Sequence, residues 1–257
     1  MSDKFFSTSY SQSTVGVNEH ALLREREIHT LRHFGLAPGA SFLELGCAEG
    51  DFVDALAKEV PGLEITGVCP RTKAMEHAKT FVLPKIPTLE LVVAPPWSSG
   101  LEDARFDFVY HRFMRHAKID AWEIIQEAYR LAKPGGIIGI AAADADWVTA
   151  FPDSPALATI RGIIWDEVWS HTGPPRSGRA VGSLLLKAGL DNVRMQTFSI
   201  STCEVGIFDW LDTFIGPWLH QLPNEQADFL SDSLATELSA KDAVGMGSIC
   251  IAAGVKR

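Results

Sequence analysis

FLELGCAEGDF, residues 42–52, is a short apolar run that stops at a turn of small residues and then resumes with a different period. SFLELG has the apolar density of a strand covered on both faces. GDFVDALAKEV, stopped by Pro61, has the apolar spacing of a helix. Between them Glu44, Gly46, Ala48 and Gly50 spell ExGxAxG. Residues this small let a ligand approach the backbone, and the N-terminus of the helix that follows offers N–H groups without a partner in the helix. Strand, turn and helix therefore predict the first half of a βαβ unit, with a ligand lying at the turn.

The neighbouring segments continue the alternation. Upstream, NEHALLREREIHTLRHFGL (residues 18–36) places Leu22, Ile28, Leu31 and Phe34 at helical spacing, with Asn18 as a candidate cap and Gly35 as the stop. Downstream, LEITGV reads as a strand, RTKAMEHAKTFV as a helix, LELVVA (residues 89–94) and FDFVYHR as strands, IDAWEIIQEAYRLAK as an amphipathic helix and IIGIAAAD as a fifth strand. Near-continuous apolar strands alternating with helices predict a parallel sheet covered on both faces. The last hundred residues add a helix (GRAVGSLLLKAG), two strands (NVRMQTFSI and GSICIAAGV) and two aromatic helical insertions, at about 147–176 and 203–243, that are expected to form a lid over the carboxyl edge of the sheet. Residues 1–17 are expected to be a flexible start, and 18–257 one domain.

Composition narrows the function. Lys and Arg number 23 against 32 Asp and Glu, a formal net charge of -9, with no basic cluster, which argues against a nucleic-acid partner. Cys47, Cys69, Cys203 and Cys250 form no CxxC pair, so no metal is expected and the thiols read as reduced. The polar start MSDKFFSTSYSQSTVG has no apolar run of the length a signal peptide or a membrane span needs. The expectation is a cytoplasmic monomer or homodimer with no membrane partner.

FDFVYHRFMRHAKIDAWEIIQEAYRLAKPGGIIGI, residues 106–140, resembles the fourth-to-fifth-strand segment of class I S-adenosylmethionine-dependent methyltransferases, with its FD-initiated strand, amphipathic helix and KPGG turn. The likeness runs back through FLELGCAEGDF and forward through DADWVTAFPDSP and GPPRSGRAVGSLLLKAGL. It is nearest to the small-molecule branch, related to ubiquinone and menaquinone methyltransferases and to natural-product tailoring enzymes. It implies a Rossmann-like, doubly wound, mainly parallel seven-stranded sheet with an inserted helical lid, and S-adenosylmethionine as cofactor.

Carried over position by position, the resemblance makes Glu44, Gly46, Cys47, Ala48 and Gly50 the wall against the methionine end of the cofactor, with the Glu44 carboxylate suited to its ammonium group. His111 and Arg112 border the cofactor and the reacting methyl group. The chain departs from the family twice: Cys69 stands where an acid usually ends the second strand to hold the ribose, and Ala94, Pro95 and Pro96 replace the acid-bearing turn after the third. Pro70, Arg71, Pro96 and Trp97 are the neighbours that could take up those contacts, Arg71 at the ribose and Trp97 stacked on adenine.

Methyl transfer to a hydroxyl or carbon needs a base, and histidine titrates near neutrality. His111, His116 and His171 are the catalytic candidates, against a structural hydrogen bond or a surface position; His220 is a further lid histidine. Asp144 and Asp146 follow the fifth strand as catalysts or as caps. Trp147, Trp165, Trp169, Phe214 and Trp218 predict a water-poor cavity for an apolar or aromatic substrate, with core packing as the alternative. Arg176 and Arg179 are candidates for an anionic group on that substrate, or for surface salt bridges. The function these residues predict is O- or C-methylation of a small, largely apolar metabolite. A cyclase, pericyclase or isomerase of natural-product biosynthesis on the same fold is the alternative, and a binding protein without catalysis the third.

Overall fold

The computed structural model describes residues 19–47, 50–69, 76, 78–86, 88–112, 121–163, 177–219 and 222–257. Its centre is a sheet of β1 (Ser41–Leu45), β2 (Glu64–Cys69), β3 (Glu90–Val93), β4 (Phe106–Arg112), β5 (Ala132–Ala143), β6 (Thr149–Phe151), β7 (Asp191–Ser201) and β8 (Val244–Val255). The order is β3-β2-β1-β4-β5-β8, with β7 on the far side of β8 and β6 prolonging the β5 edge. β1 to β5 pair in parallel, and β8 runs antiparallel to its neighbours. The doubly wound, mainly parallel prediction is met, with eight strands in place of seven. The additional strand is β6, three residues of the first insertion that pair with Val244–Met246 at the start of β8.

Strand order reverses between β1 and β4, so their carboxyl ends border the crevice where ligands of open α/β sheets collect. Alternation along β1 shows why this strand can lie at the centre. Phe42 and Glu44 point to one face and Leu43 and Leu45 to the other, and all four are buried. Phe42 stacks on Phe108 of β4 at 5.8 Å, in a core shared with α1 (Glu19–His33) and α2 (Asp51–Glu59). The opposite face packs Leu43, Leu45, Val109 and Ile138 against α3 (Ala121–Leu131) and α5 (Ser177–Lys187) through Ile124, Ile125, Val181 and Leu185. Each large side chain enclosed this way contributes roughly 2 kcal/mol, so covering both faces is what fixes the register.

The late insertions supply α4 (Pro155–Ile163), α6 (Thr202–Val205), α7 (Ile207–Phe214), α8 (Gly216–Leu219) and α9 (Asn224–Leu238). Ala156, Leu157 and Ile160 of α4 share a core with Leu230, Leu234 and Leu238 of α9, and the Glu237 carboxylate caps α4 by accepting the Ala156 N–H at 3.1 Å. The Trp210 indole N–H donates to the Ile200 carbonyl at 3.3 Å, and the adjacent Phe214 ring covers Gly247 of β8. Among the described residues no helix is long and apolar enough to cross a membrane.

Candidate active site

The glycine turn is built as its spacing predicts. Gly46 and Gly50 both have φ of 88°, a region that side chains with a Cβ enter at a cost. The N–H groups of Gly46 and Cys47 both donate to the Val68 carbonyl, at 2.8 and 2.9 Å, tying the turn to the end of β2. α2 then begins at Asp51, with Asp51 and Asp54 in its first turn, where the helix dipole favours negative charge.

One face of the crevice holds an electrostatic cluster. Arg112 grips Glu27 of α1 with both ends of one guanidinium edge, Nε to Oε1 at 2.8 Å and Nη2 to Oε2 at 2.7 Å, and lies over the Phe52 ring at 4.2 Å. The Tyr110 hydroxyl donates to the same Glu27 carboxylate. Burial pulls the Arg112 pKa down, but Glu27 more than offsets it, so the guanidinium stays charged. Burial, then the charge of Glu27, pushes the Tyr110 phenol up.

Glu44, in register with Tyr110 and on the same face, is only 1% exposed, and its Oε2 has no hydrogen-bond partner among the described residues. Burial raises its pKa from the ordinary 4.5 to about 7, against the opposing pull of Arg112. Arg112 is bonded to Glu27 and does not neutralise it. A buried carboxylate left in this state beside a glycine turn fits a cationic ligand group, and the ammonium end of S-adenosylmethionine is of that kind.

His111 follows Tyr110 and therefore faces the other side of the sheet from it. Its Nδ1 lies 2.6 Å from the Leu45 carbonyl oxygen. A carbonyl only accepts, so Nδ1 carries the proton and Nε2 is the basic nitrogen of the neutral ring. The ring is buried, and the Cβ of an alanine at position 46 would lie 3.5 Å from it, so the imidazole lines the glycine turn. His111 and Arg112 are neighbours in sequence but serve opposite faces.

At the end of β2 the Cys69 side chain is fully buried and hydrogen-bonds Cys47, whose thiol pKa is raised by that bond and then by burial. Cys69 thus faces the glycine turn. In the stretch after β3, Pro96 is buried and Trp97 half-buried against the core beneath α3, anchored where Glu127 accepts from the Ser99 N–H at 2.8 Å and hydroxyl at 2.6 Å.

The far side of the crevice is formed by the end of β5. Asp144, fully buried, accepts from Arg179 N and Nε at 2.9 Å, from Arg179 Nη2 at 3.0 Å and from Asp146 N at 3.1 Å. It caps α5, and Arg179 is taken up by it and by Asp146, which is the salt-bridge reading of that arginine. Trp147 is 37% exposed beneath Arg179, at 5.6 Å. Phe214 corrects the substrate prediction: it is 1% exposed and packs on Trp210 and Gly247, so its ring belongs to the core. Trp218 is half-buried against the same core. Ala48, Pro70, Arg71, His116, Trp165, Trp169, His171, Arg176 and His220 lie outside the described residues. Among the described residues no cluster of metal-ligating side chains forms.

Sequence reading missed Glu27 and Tyr110. Glu27 carried a signal, since it falls four residues after Leu23 and next to Ile28 on the apolar side of α1, a place where an acid needs a buried partner.

Residues 43–140 match the family model of a methyltransferase domain. Demethylmenaquinone methyltransferase of Lysinibacillus sphaericus is 27% identical over 110 residues, covering 42% of this chain and 47% of the relative. 2-Methyl-6-phytyl-1,4-hydroquinone methyltransferase of Synechocystis is 27% identical over 124 residues, covering 47% and 37%. The chain thus aligns with about half or less of the length of these curated relatives. Among solved structures, one described as a methyltransferase from an antibiotic biosynthesis pathway of Anabaena variabilis superposes with a TM-score of 0.64 at 15% identity, covering 89% of this chain and 96% of that one. The cyclase SpnF superposes with a TM-score of 0.57 at 16% identity, covering 90% and 81%. At these identities the superpositions speak to the fold alone.

Proposed function

We propose that this chain, which carries a methyltransferase domain over residues 43–140 in the class I fold, uses S-adenosylmethionine to methylate an oxygen or carbon of a small, largely apolar or aromatic metabolite. The observation that carries the reading is Glu44: a fully buried carboxylate with an unpaired oxygen at the end of β1, beside the turn whose glycines admit a ligand.

When bound, the cofactor supplies an electrophilic methyl group on a sulfonium, open to in-line displacement. Glu44 would hold the ammonium end by a charge-assisted hydrogen bond in its ionised form, any proton it carries below about pH 7 passing to solvent. Gly46 and Gly50 let the backbone lie against the methionine chain. His111 Nε2, whose basicity is fixed by the Nδ1 bond to Leu45, accepts the proton that the substrate hydroxyl or acidic carbon gives up. Trp147, with the predicted Trp165 and Trp169, excludes water and holds the substrate. The names of the curated relatives point to quinone-type acceptors as the first class to try.

A second reading, a cyclase on the same fold, is favoured by one observation: Cys69 ends β2 with its thiol turned to Cys47, and Ala94 and Pro95 follow β3, so the expected ribose and adenine acids are absent. Incubation with S-adenosylmethionine labelled in its methyl group and a panel of hydroquinones, phenols and carbon acids separates the two. Label in an organic product supports methyl transfer. Converted substrate without label supports the cyclase.

A further inference from the structure

Four arginines among the described residues hold a carboxylate along the same guanidinium edge, one of them Arg130, with Nε and Nη2 on Glu127 at 2.9 and 2.7 Å. Arg112 uses Nε and Nη2 on Glu27, Arg179 uses them on Asp144, and Arg257 uses them on Asp191. Among the described residues Arg161 presents that edge to no carboxylate. Its Nε and Nη2 are buried, and neither has a hydrogen-bond partner. Arg161 lies on α4, and the carboxylate whose charge it feels, Asp146, is already bonded by Arg179. Burial depresses the Arg161 pKa, which is the signature of a cation without an adequate counter-charge.

The position is informative. Asp144 and Asp146 follow β5 at its carboxyl end, on the same edge of the sheet as Gly46 and His111. β4 lies between β1 and β5, so their ends are two strand spacings apart, about 10 Å, which is the length of a small aromatic metabolite. A guanidinium edge buried without a partner is a desolvated cation, and a bound anion would supply the partner it lacks.

We propose that Arg161 is the anion-binding residue of the substrate site, taking a carboxylate of the substrate side-on through Nε and Nη2 while the reacting atom lies toward His111. This rests on the crevice being the substrate site, and it narrows the substrate class to apolar or aromatic acids. Arg161, not Arg179, would then select the substrate.

The test uses the full chain and three probes of one shape: phenylacetate, phenyl phosphate and the neutral phenylacetamide, titrated with and without S-adenosylhomocysteine. Wild-type protein is expected to bind phenylacetate at least tenfold more tightly than the amide, and Arg161→Gln to abolish that difference. Tighter binding of phenyl phosphate than of phenylacetate would overturn the carboxylate assignment in favour of a phosphorylated substrate. Equal affinities for acid and amide, failure of both anions to bind, or a preference that survives in Arg161→Gln would overturn the proposal. Thermal unfolding of the ligand-free Arg161→Met protein gives an independent reading: a midpoint equal to or above wild type is expected, whereas a fall of several degrees would show a structural role. S-adenosylhomocysteine binding is measured in the same series, so loss of the cofactor reading with the anion preference intact is seen as that.

Discussion

At the residue scale the decisive group is Glu44, and its behaviour with pH is specific. Its carboxyl is raised from 4.5 to about 7 in the folded chain, so the protonated form suits the fold. That contribution is full below pH 4.5, shrinks as the pH rises, and is gone above 7, where the folded state holds a buried charge that the unfolded state hydrates. Glu44→Gln should therefore leave the ligand-free protein unchanged near pH 4 and stabilise it by about 2–3 kcal/mol at pH 8, as measured by urea unfolding at both values. Cofactor binding selects the charged form, so wild-type affinity should rise as the pH passes through 7, while the variant binds more weakly and without that dependence. A wild-type affinity flat from pH 6 to 8 would contradict the assignment.

Glu27 is the opposite case, an acid that already has its cation. Glu27→Ala strips Arg112 of its two-point carboxylate partner and should cost about 3–5 kcal/mol, whereas removing both partners with Glu27→Leu and Arg112→Met should cost much less. Urea midpoints of the single and double variants check it. His111→Gln should lower turnover by about 10²–10⁴ while leaving S-adenosylhomocysteine affinity within a few-fold of wild type. The glycines and Glu44 were legible in sequence because small residues and an acid at fixed offsets have few physical reasons to occur together. The Arg112–Glu27 bond was not, because it joins residues 85 positions apart.

At the scale of elements, period and punctuation located the parallel strands, since a strand buried on both faces announces itself by apolar density. Less was visible where an element depends on its neighbour. The helix predicted to run through Lys133 ends at Leu131, because Ala132 already pairs with Phe106 and starts β5. β6 has three residues and no pattern of its own; it exists because β8 runs on past the end of β5. The aromatic insertions were legible as helices, but a core ring such as Phe214 could not be told from a substrate contact, since both demand an apolar aromatic side chain. Gly247 shows the packing that decides it. An added Cβ there would lie 2.5 Å from the Phe214 ring, so Gly247→Ala should destabilise by about 1–3 kcal/mol, and Phe214→Leu in the same chain should recover part of the loss. Additive losses in chemical denaturation would show that the two residues do not press on each other.

At the scale of the molecule, one sheet edge gathers the groups that the proposed function uses. The end of β1 brings the glycine turn and Glu44, the end of β4 brings His111 and Arg112, and the end of β5 brings Asp144 with Arg179 of α5. α1 closes one face through Glu27, and its Arg26 side chain reaches the Ser199 carbonyl at 2.8 Å, so the element that neutralises Arg112 is also fastened to β7. Overall charge and composition argued against a nucleic-acid partner at this scale but said nothing of the substrate, because a substrate is selected by a few side chains that barely move either total. Isothermal titration of the purified full chain with S-adenosylhomocysteine at pH 8, beside Glu44→Gln, tests the central claim most directly. Micromolar binding by wild type, weakened at least tenfold in the variant, is the predicted result. No binding at millimolar ligand by a folded protein, or equal binding by both, would contradict it.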